Sequence, residues 1–196
     1  MLETARAIIQ KNGAGALTMS GLADAVGISK PIVYQHFKNS EDVVIEILKE
    51  HSRRSTEMAA ERVKGAETIY EFLDKVIDSI FEHHNEDGLV VRAITNGFSS
   101  SRNVDAFFLR QQKRTHQVYL DLLMQQGIPE ELAAPAGYAL MQMITMTVLE
   151  FAQAGKVEDL SILKEMVRGA VGRLGRKCDV RPTIPAFLFE PYDEGS

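Results

Sequence analysis

Along almost the whole chain, apolar residues recur at three- and four-residue intervals, and no stretch keeps the two-residue alternation of a half-buried strand. That rhythm predicts an all-α fold. A first helix over about Leu2–Lys11 stops at Asn12-Gly13. Thr18 is placed to cap a second, which ends at Gly27, a residue suited to the left-handed position after a helix. Ser29 caps a third with Pro31 in its first turn, where the missing N–H costs little. Ser40 caps a fourth, whose acids Glu41 and Asp42 meet the positive end of the helix dipole and whose stripe is Val43, Val44, Ile47, Leu48 and His51. After Gly65, the residues Ile69, Phe72, Leu73, Val76, Ile77, Ile80 and Phe81 hold the repeat for three turns. Gly88 is expected to separate a shorter helix, Leu89–Phe98, followed by a loop at Ser99–Asn103. A long helix, Val104–Gln126, breaks at Gly127; the next starts at Pro129 and runs to about Ala154, and a last covers about Glu158–Leu174. Pro182, Pro185 and Pro191 make the final twenty residues irregular. The expected division is 1–50, 51–176 and a tail 177–196.

Several function classes drop out. No glycine-rich nucleotide loop, Gly-x-Ser-x-Gly elbow or His-Glu-x-x-His motif occurs, so neither an enzyme nor a cofactor is expected. His83 and His84 are adjacent, about 100° apart on a helix, and cannot chelate one ion together; no metal is expected. One cysteine, Cys178, forms no internal disulfide, and no stretch reads as a secretion signal, so the expected compartment is the cytoplasm. Pro135–Leu149 is nearly all apolar, yet Gln142, Thr145, Thr147 and Glu150 keep it short of the roughly 20 residues of a membrane span. No membrane partner is expected.

The net charge of −5 speaks against nucleic acid only until it is divided. Residues 1–54 hold seven Lys/Arg and six Asp/Glu, leaving 15 bases and 21 acids for the remainder. The acidity therefore sits in the body, and a mildly basic N-terminal segment permits DNA binding. That segment contains Thr18–Phe37, two short helices joined by a tight turn at Gly27, with Ile28 as a buried plug. Leu22, Ala23 and Val26 can pack on Val33 and Phe37, and small Ala23 and Ala25 allow close approach. This is the construction of a helix-turn-helix, whose second helix enters the major groove.

Here the chain resembles the TetR family of repressors. The resemblance rests on Thr18, Leu22-Ala23, Gly27-Ile28-Ser29 and above all the run Tyr34-Gln35-His36-Phe37-Lys38-Asn39-Ser40. It implies an N-terminal helix-turn-helix domain, a C-terminal helical body that dimerises and binds an effector, and double-stranded operator DNA as partner. It further implies that Lys30, Pro31, Ile32 and Gln35 face the bases: Gln35 an adenine edge, Lys30 a guanine or phosphate, Pro31 and Ile32 thymine methyls. Tyr34 and His36 match phosphate-holding positions, with Thr18, Ser20, Ser29 and Lys38 as further DNA contacts. Many members carry a basic extension before the first helix; this chain starts almost at that helix, and no contacts from such an arm are expected.

The body carries softer signals. Tyr138–Leu149 is apolar all round, and Leu160, Leu163, Val167, Ala170, Val171 and Leu174 form a stripe beside Gly169 and Gly172. A glycine inside a helix costs about 1 kcal/mol, which close approach of another helix offsets. A four-helix dimer interface built on Tyr138, Met146, Leu163, Val167, Gly169 and Val171 is the expectation; the alternative is an internal core. On the long helix, Gln112 and Thr115 share a face with Phe108, Tyr119 and Leu122. Buried polar groups need partners, which are either internal or on a ligand in an apolar pocket. Phe98, Phe108, Gln112, Thr115, Tyr119, Met141 and Thr145 are the expected ligand residues. The leading reading is a repressor released from a palindromic operator by a small, fairly apolar effector. A ligand-independent or activating regulator, or a helical protein-interaction module, stands as the alternative. The tail's Ile184, Phe187, Leu188, Phe189 and Tyr192 are expected to dock on the body or a partner.

Overall fold

A computed structural model describes residues 1–174 and 181–183, with backbone alone at 85–87. The docking expected of Ile184–Tyr192 lies outside the described residues. Eight α-helices account for most of what is described: α1 (Leu2–Asn12), α2 (Met19–Val26), α3 (Lys30–His36), α4 (Ser40–Val63), α5 (Ile69–Gly97), α6 (Arg102–Gln125), α7 (Glu130–Ala154) and α8 (Leu160–Leu174). Among the described residues there is no strand. The helices form two compact units, Met1–Arg53 with Glu86–Arg110, and Arg54–Asn85 with the chain from Gln111 onward. The second half of α5 and the start of α6 therefore belong with the N-terminal helices, not with the body as the linear division 1–50 and 51–176 has it.

In the first unit, Ala5, Ile9, Leu22, Ala23, Val33, Val43, Val44, Ile47 and Leu48 are all but sealed from solvent. Arg6 threads this core: its guanidinium donates to the Ile47 carbonyl at 3.3 Å and to Glu50 at 3.2 Å, tying α1 to α4. The start of α4 is capped by Asn39 rather than Ser40. The Asn39 side chain accepts from the Asp42 N–H (2.9 Å), and the Asp42 carboxylate accepts from the Lys38 N–H (2.9 Å). A residue inside the first turn cannot cap it, and Ser40 is already helical. Ser29 likewise precedes α3 without a side-chain cap bond. Residues 86–110 join this unit through two devices. Glu41 accepts from the Ser101 hydroxyl and, at 3.0 Å, from the Asn103 amide. Gly97, which ends α5, sits so close to the turn after α1 that a Cβ there would stand 2.8 Å from that of Ala14.

Gly88 does not interrupt α5, which is continuous for 29 residues. A helical glycine costs only about 1 kcal/mol, and apolar stripes on both sides of it outweigh that. In the second unit α5, α6, α7 and α8 share one core, built on Ile69, Leu73, Ile77, Leu122, Leu123, Ile144, Leu163 and Val171. Gly137 allows the closest approach: a Cβ there would lie 3.1 Å from the Leu120 nitrogen and 3.2 Å from the Tyr119 carbonyl carbon. Lys164 and Arg168 of α8 pair with Asp78 and Asp74 of α5. By length and composition α7 is apolar enough to cross a membrane. One stripe of it, Ala133, Gly137, Leu140, Met141, Ile144 and Val148, is instead buried within its own chain. The segment 181–183 has no regular structure and is held by Gln125, whose amide donates to the Thr183 carbonyl (3.1 Å) and accepts its N–H (2.7 Å).

The Gly97 contact yields a stability prediction. Gly97→Ala should destabilise the chain by about 1–3 kcal/mol in urea unfolding, because Ala14 is buried and cannot retreat. Adding Ala14→Gly should recover part of that loss; strictly additive losses would show that the two residues do not collide.

Candidate nucleic-acid interface and effector cavity

The helix-turn-helix is built from its turn outward. Thr18 caps α2, its Oγ1 accepting the Gly21 N–H at 3.0 Å, which leaves the hydroxyl proton able to donate elsewhere. Gly27 ends α2 in the left-handed region, φ 78° and ψ 30°. Its own N–H bonds back to Ala23 and Asp24, and the Ile28 N–H reaches the Ala23 carbonyl at 3.1 Å. This doubled closure reverses the chain within a few residues. Ile28, expected as a buried plug, is half-buried.

Helix α3 then presents a single residue inward. Val33 is 0% exposed, whereas Ser29, Lys30, Pro31, Ile32, Tyr34, Gln35 and His36 are all exposed, Tyr34 at 54%. Ser20 on α2 is half-buried; Thr18 and Lys38 are exposed. The structure thus brings the ten residues expected to contact DNA onto α3, the start of α2 and the turn after α3. An exposed isoleucine, two cations or potential cations, an amide and a phenol on one short helix have no folding role of their own. That is the inventory of groups that read base edges and grip phosphates.

In the second unit, α4, α5, α6 and α7 line a cavity of about 260 Å³ that is partly open to solvent. Thr115, Tyr119 and Thr145 of the expected ligand residues line it. Four others do not. Phe98 and Phe108 belong to the first unit, Met141 is buried in the helix core, and Gln112 is engaged by the Tyr138 hydroxyl at 3.3 Å. The polar face of α6 is thus divided between an internal partner for Gln112 and the cavity for Thr115. The contributions of α4 (Ser55, Thr56, Ala59, Ala60, Val63) and α5 (Phe72, Val76, Ile80) carry no signal in the sequence, because apolar residues at helical spacing look the same whether they face a core or a void. Burial pushes the Tyr119 phenol well above its usual range, so it stays protonated.

The expected dimer residues divide as well. Leu163, Val167 and Val171 face the core of their own chain and are unavailable to a partner. Tyr138 and Met146 are exposed, and Gly169 has open space around it. The most exposed apolar residues of α8 are Ile162 (59%) and Met166 (57%), each one position before a buried residue; Leu132 is similarly exposed on α7. Among the described residues, no cluster of metal-ligating side chains occurs.

Residues 1–47 match the family model for bacterial regulatory proteins of the tetR family. A fatty acid metabolism regulator protein of Bacillus subtilis (strain 168) is 31% identical over 81 residues. That match spans 41% of this chain and 42% of the relative, less than half the length of either. Among solved structures, a Pseudomonas aeruginosa PAO1 protein assigned as a transcriptional regulator shares the fold at TM-score 0.73 and 14% identity, over 88% of this chain and 91% of that one. The fatty acid degradation regulator of Bacillus halodurans does so at TM-score 0.65 and 20% identity, over 90% and 94%. Residues 1–47 with the exposed Tyr34-Gln35-His36 run are thus similar to the N-terminal domain of the tetR family of bacterial regulatory proteins, and the described chain shares the fold of these solved structures.

Proposed function

We propose that this chain is a DNA-binding transcriptional regulator of the cytoplasm, a repressor that grips a palindromic operator as a homodimer and lets go when a small, fairly apolar molecule enters the body. The observation that carries this reading is the row of exposed side chains on α3, held outward by the single buried Val33. Lys30, Pro31, Ile32 and Gln35 read bases; Tyr34 and His36, with Thr18, Ser20, Ser29 and Lys38, hold the backbone. One such domain reads too few base pairs to find a genomic site, so two must act together. The outward faces of α7 and α8, with Tyr138, Met146, Ile162, Met166 and Gly169, supply the surface for that pairing in this reading, since large apolar side chains left exposed on both helices suit an interface.

The 260 Å³ cavity is the effector site in this reading, and the apolar lining suits the fatty-acid chemistry in the names of two relatives. Helix α4 begins three residues after α3 and ends at Val63 in the cavity wall, so a ligand that favours one placement of α4 biases the reading head. Half-sites one helical turn apart, about 34–36 Å, tolerate little change in that placement.

Gel-shift titration against fragments of the neighbouring promoter tests the DNA assignment. Tyr34→Phe should weaken binding to all sequences alike, whereas Gln35→Ala should relax base preference at one position by about 1–3 kcal/mol. The reverse pattern would refute the allocation. For the dimer, Ile162→Glu with Met166→Glu should shift the chain to monomer in sedimentation without loss of helix. Leu163→Ala should instead lower stability by about 2–5 kcal/mol, being a core truncation. A double glutamate variant that stays dimeric would remove this face from the interface.

A further inference from the structure

The cavity in the body has a chemistry more specific than apolar. Among the described residues, no Asp, Glu, Lys, Arg or His lines it; its polar groups are the hydroxyls of Ser55, Thr56, Thr115, Tyr119 and Thr145. Only Tyr119 of the five is buried. It is 4% exposed, and its hydroxyl makes no hydrogen bond among the described residues. The phenol ring is packed away while its hydroxyl is not sealed among protein atoms, so the O–H is left to whatever enters the cavity. The other four hydroxyls of the wall can accept as well as donate, but among the described residues none of them is bonded to that of Tyr119.

Two classes of occupant fail on these grounds. A carboxylate brought among these neutral hydroxyls and aliphatic groups gives up part of its hydration and finds no cation in return. A pure hydrocarbon fills the volume but leaves the Tyr119 O–H unsatisfied. A neutral molecule with one oxygen acceptor on an apolar frame meets both demands. Size is bounded too: a cavity of about 150 Å³ accommodates benzene, so 260 Å³ corresponds to about ten non-hydrogen atoms.

We propose that Tyr119 is the specificity-determining residue of this cavity, donating its hydroxyl proton to the oxygen of a neutral ketone, ester or ether of about ten non-hydrogen atoms, and that the cavity rejects the corresponding carboxylic acid. The proposal rests on the effector-site reading above and narrows it. The fatty-acid names of the relatives make the distinction consequential, because the free acid is the form this lining disfavours.

Isothermal titration at pH 7.5 of the full chain with three probes of about ten non-hydrogen atoms each, 2-nonanone, octanoate and n-butylbenzene, separates the outcomes. The ketone should bind at least about tenfold more tightly than octanoate. Tyr119→Phe should weaken the ketone by about five- to tenfold, the worth of one hydrogen bond, and leave n-butylbenzene within about twofold. Helical content and melting of the variant, followed by circular dichroism, control for folding; Thr115→Val provides a second variant in the same wall, expected to shift the ketone less than Tyr119→Phe. Octanoate binding as tightly as the ketone, or equal loss of ketone and hydrocarbon in Tyr119→Phe, would overturn the assignment while leaving the effector site standing. Binding of none of the three would defeat the effector-site reading itself and this inference with it.

Discussion

A seven-residue helix is too short to persist in water, where about 12–15 residues are needed even for favourable sequences. Helix α3 exists because Val33 is sealed beneath it and because the left-handed Gly27 brings it back onto α2 within three residues. All that faces outward depends on that contact. With one side chain committed to the core, every other position on α3 is released from packing duty, and polar, charged and aromatic groups can occupy it at no cost to the fold. The rigidity of the exposed face of α3 therefore comes from the packing of Val33 and of the buried Leu22 and Ala23 of the adjoining α2, not from the exposed residues themselves.

The body is built differently. Its helices are long enough to be stable on propensity and packing together, and glycine appears where backbones must approach, as at Gly137 against Tyr119 and Leu120. Tight packing there coexists with a void a few residues away on the same helix, lined by Thr115, Tyr119 and Leu122. Side-chain volumes that fill the space on one side of α6 leave it unfilled on the other. A protein selected for stability alone would close such a gap, since each missing methylene forfeits contact energy.

The N-terminal third was legible because its signals are local. A cap, a glycine at a left-handed turn, a proline in a first turn and a run of four residues around Tyr34 each act within one or two helical turns. Finer points failed for physical reasons. Ser40 and Asn39 are both good caps, and only the backbone geometry decides between them. Gly88 weakens a helix by less than its flanks strengthen it. In the body, periodicity reports that a face is apolar but not what covers it. On α8, Ile162-Leu163 and Met166-Val167 repeat as adjacent pairs, so two apolar stripes run side by side; the inner one belongs to the chain's own core, and only the outer one is free for a partner. Phe98 and Phe108 mislead for a related reason, since aromatic residues near the end of α5 and the start of α6 serve whichever unit that part of the chain joins.

In the proposed function, the α2–α3 pair reads a defined, two-fold symmetric DNA sequence. Selection of binding sites from a randomised duplex library by the purified full chain measures this directly, whatever the natural target. The expected result is enrichment of a palindrome whose half-sites lie one helical turn apart, with base preference concentrated at the few positions that Lys30–Gln35 can reach. Enrichment of no common sequence, or of a lone half-site without its symmetric mate, would contradict it.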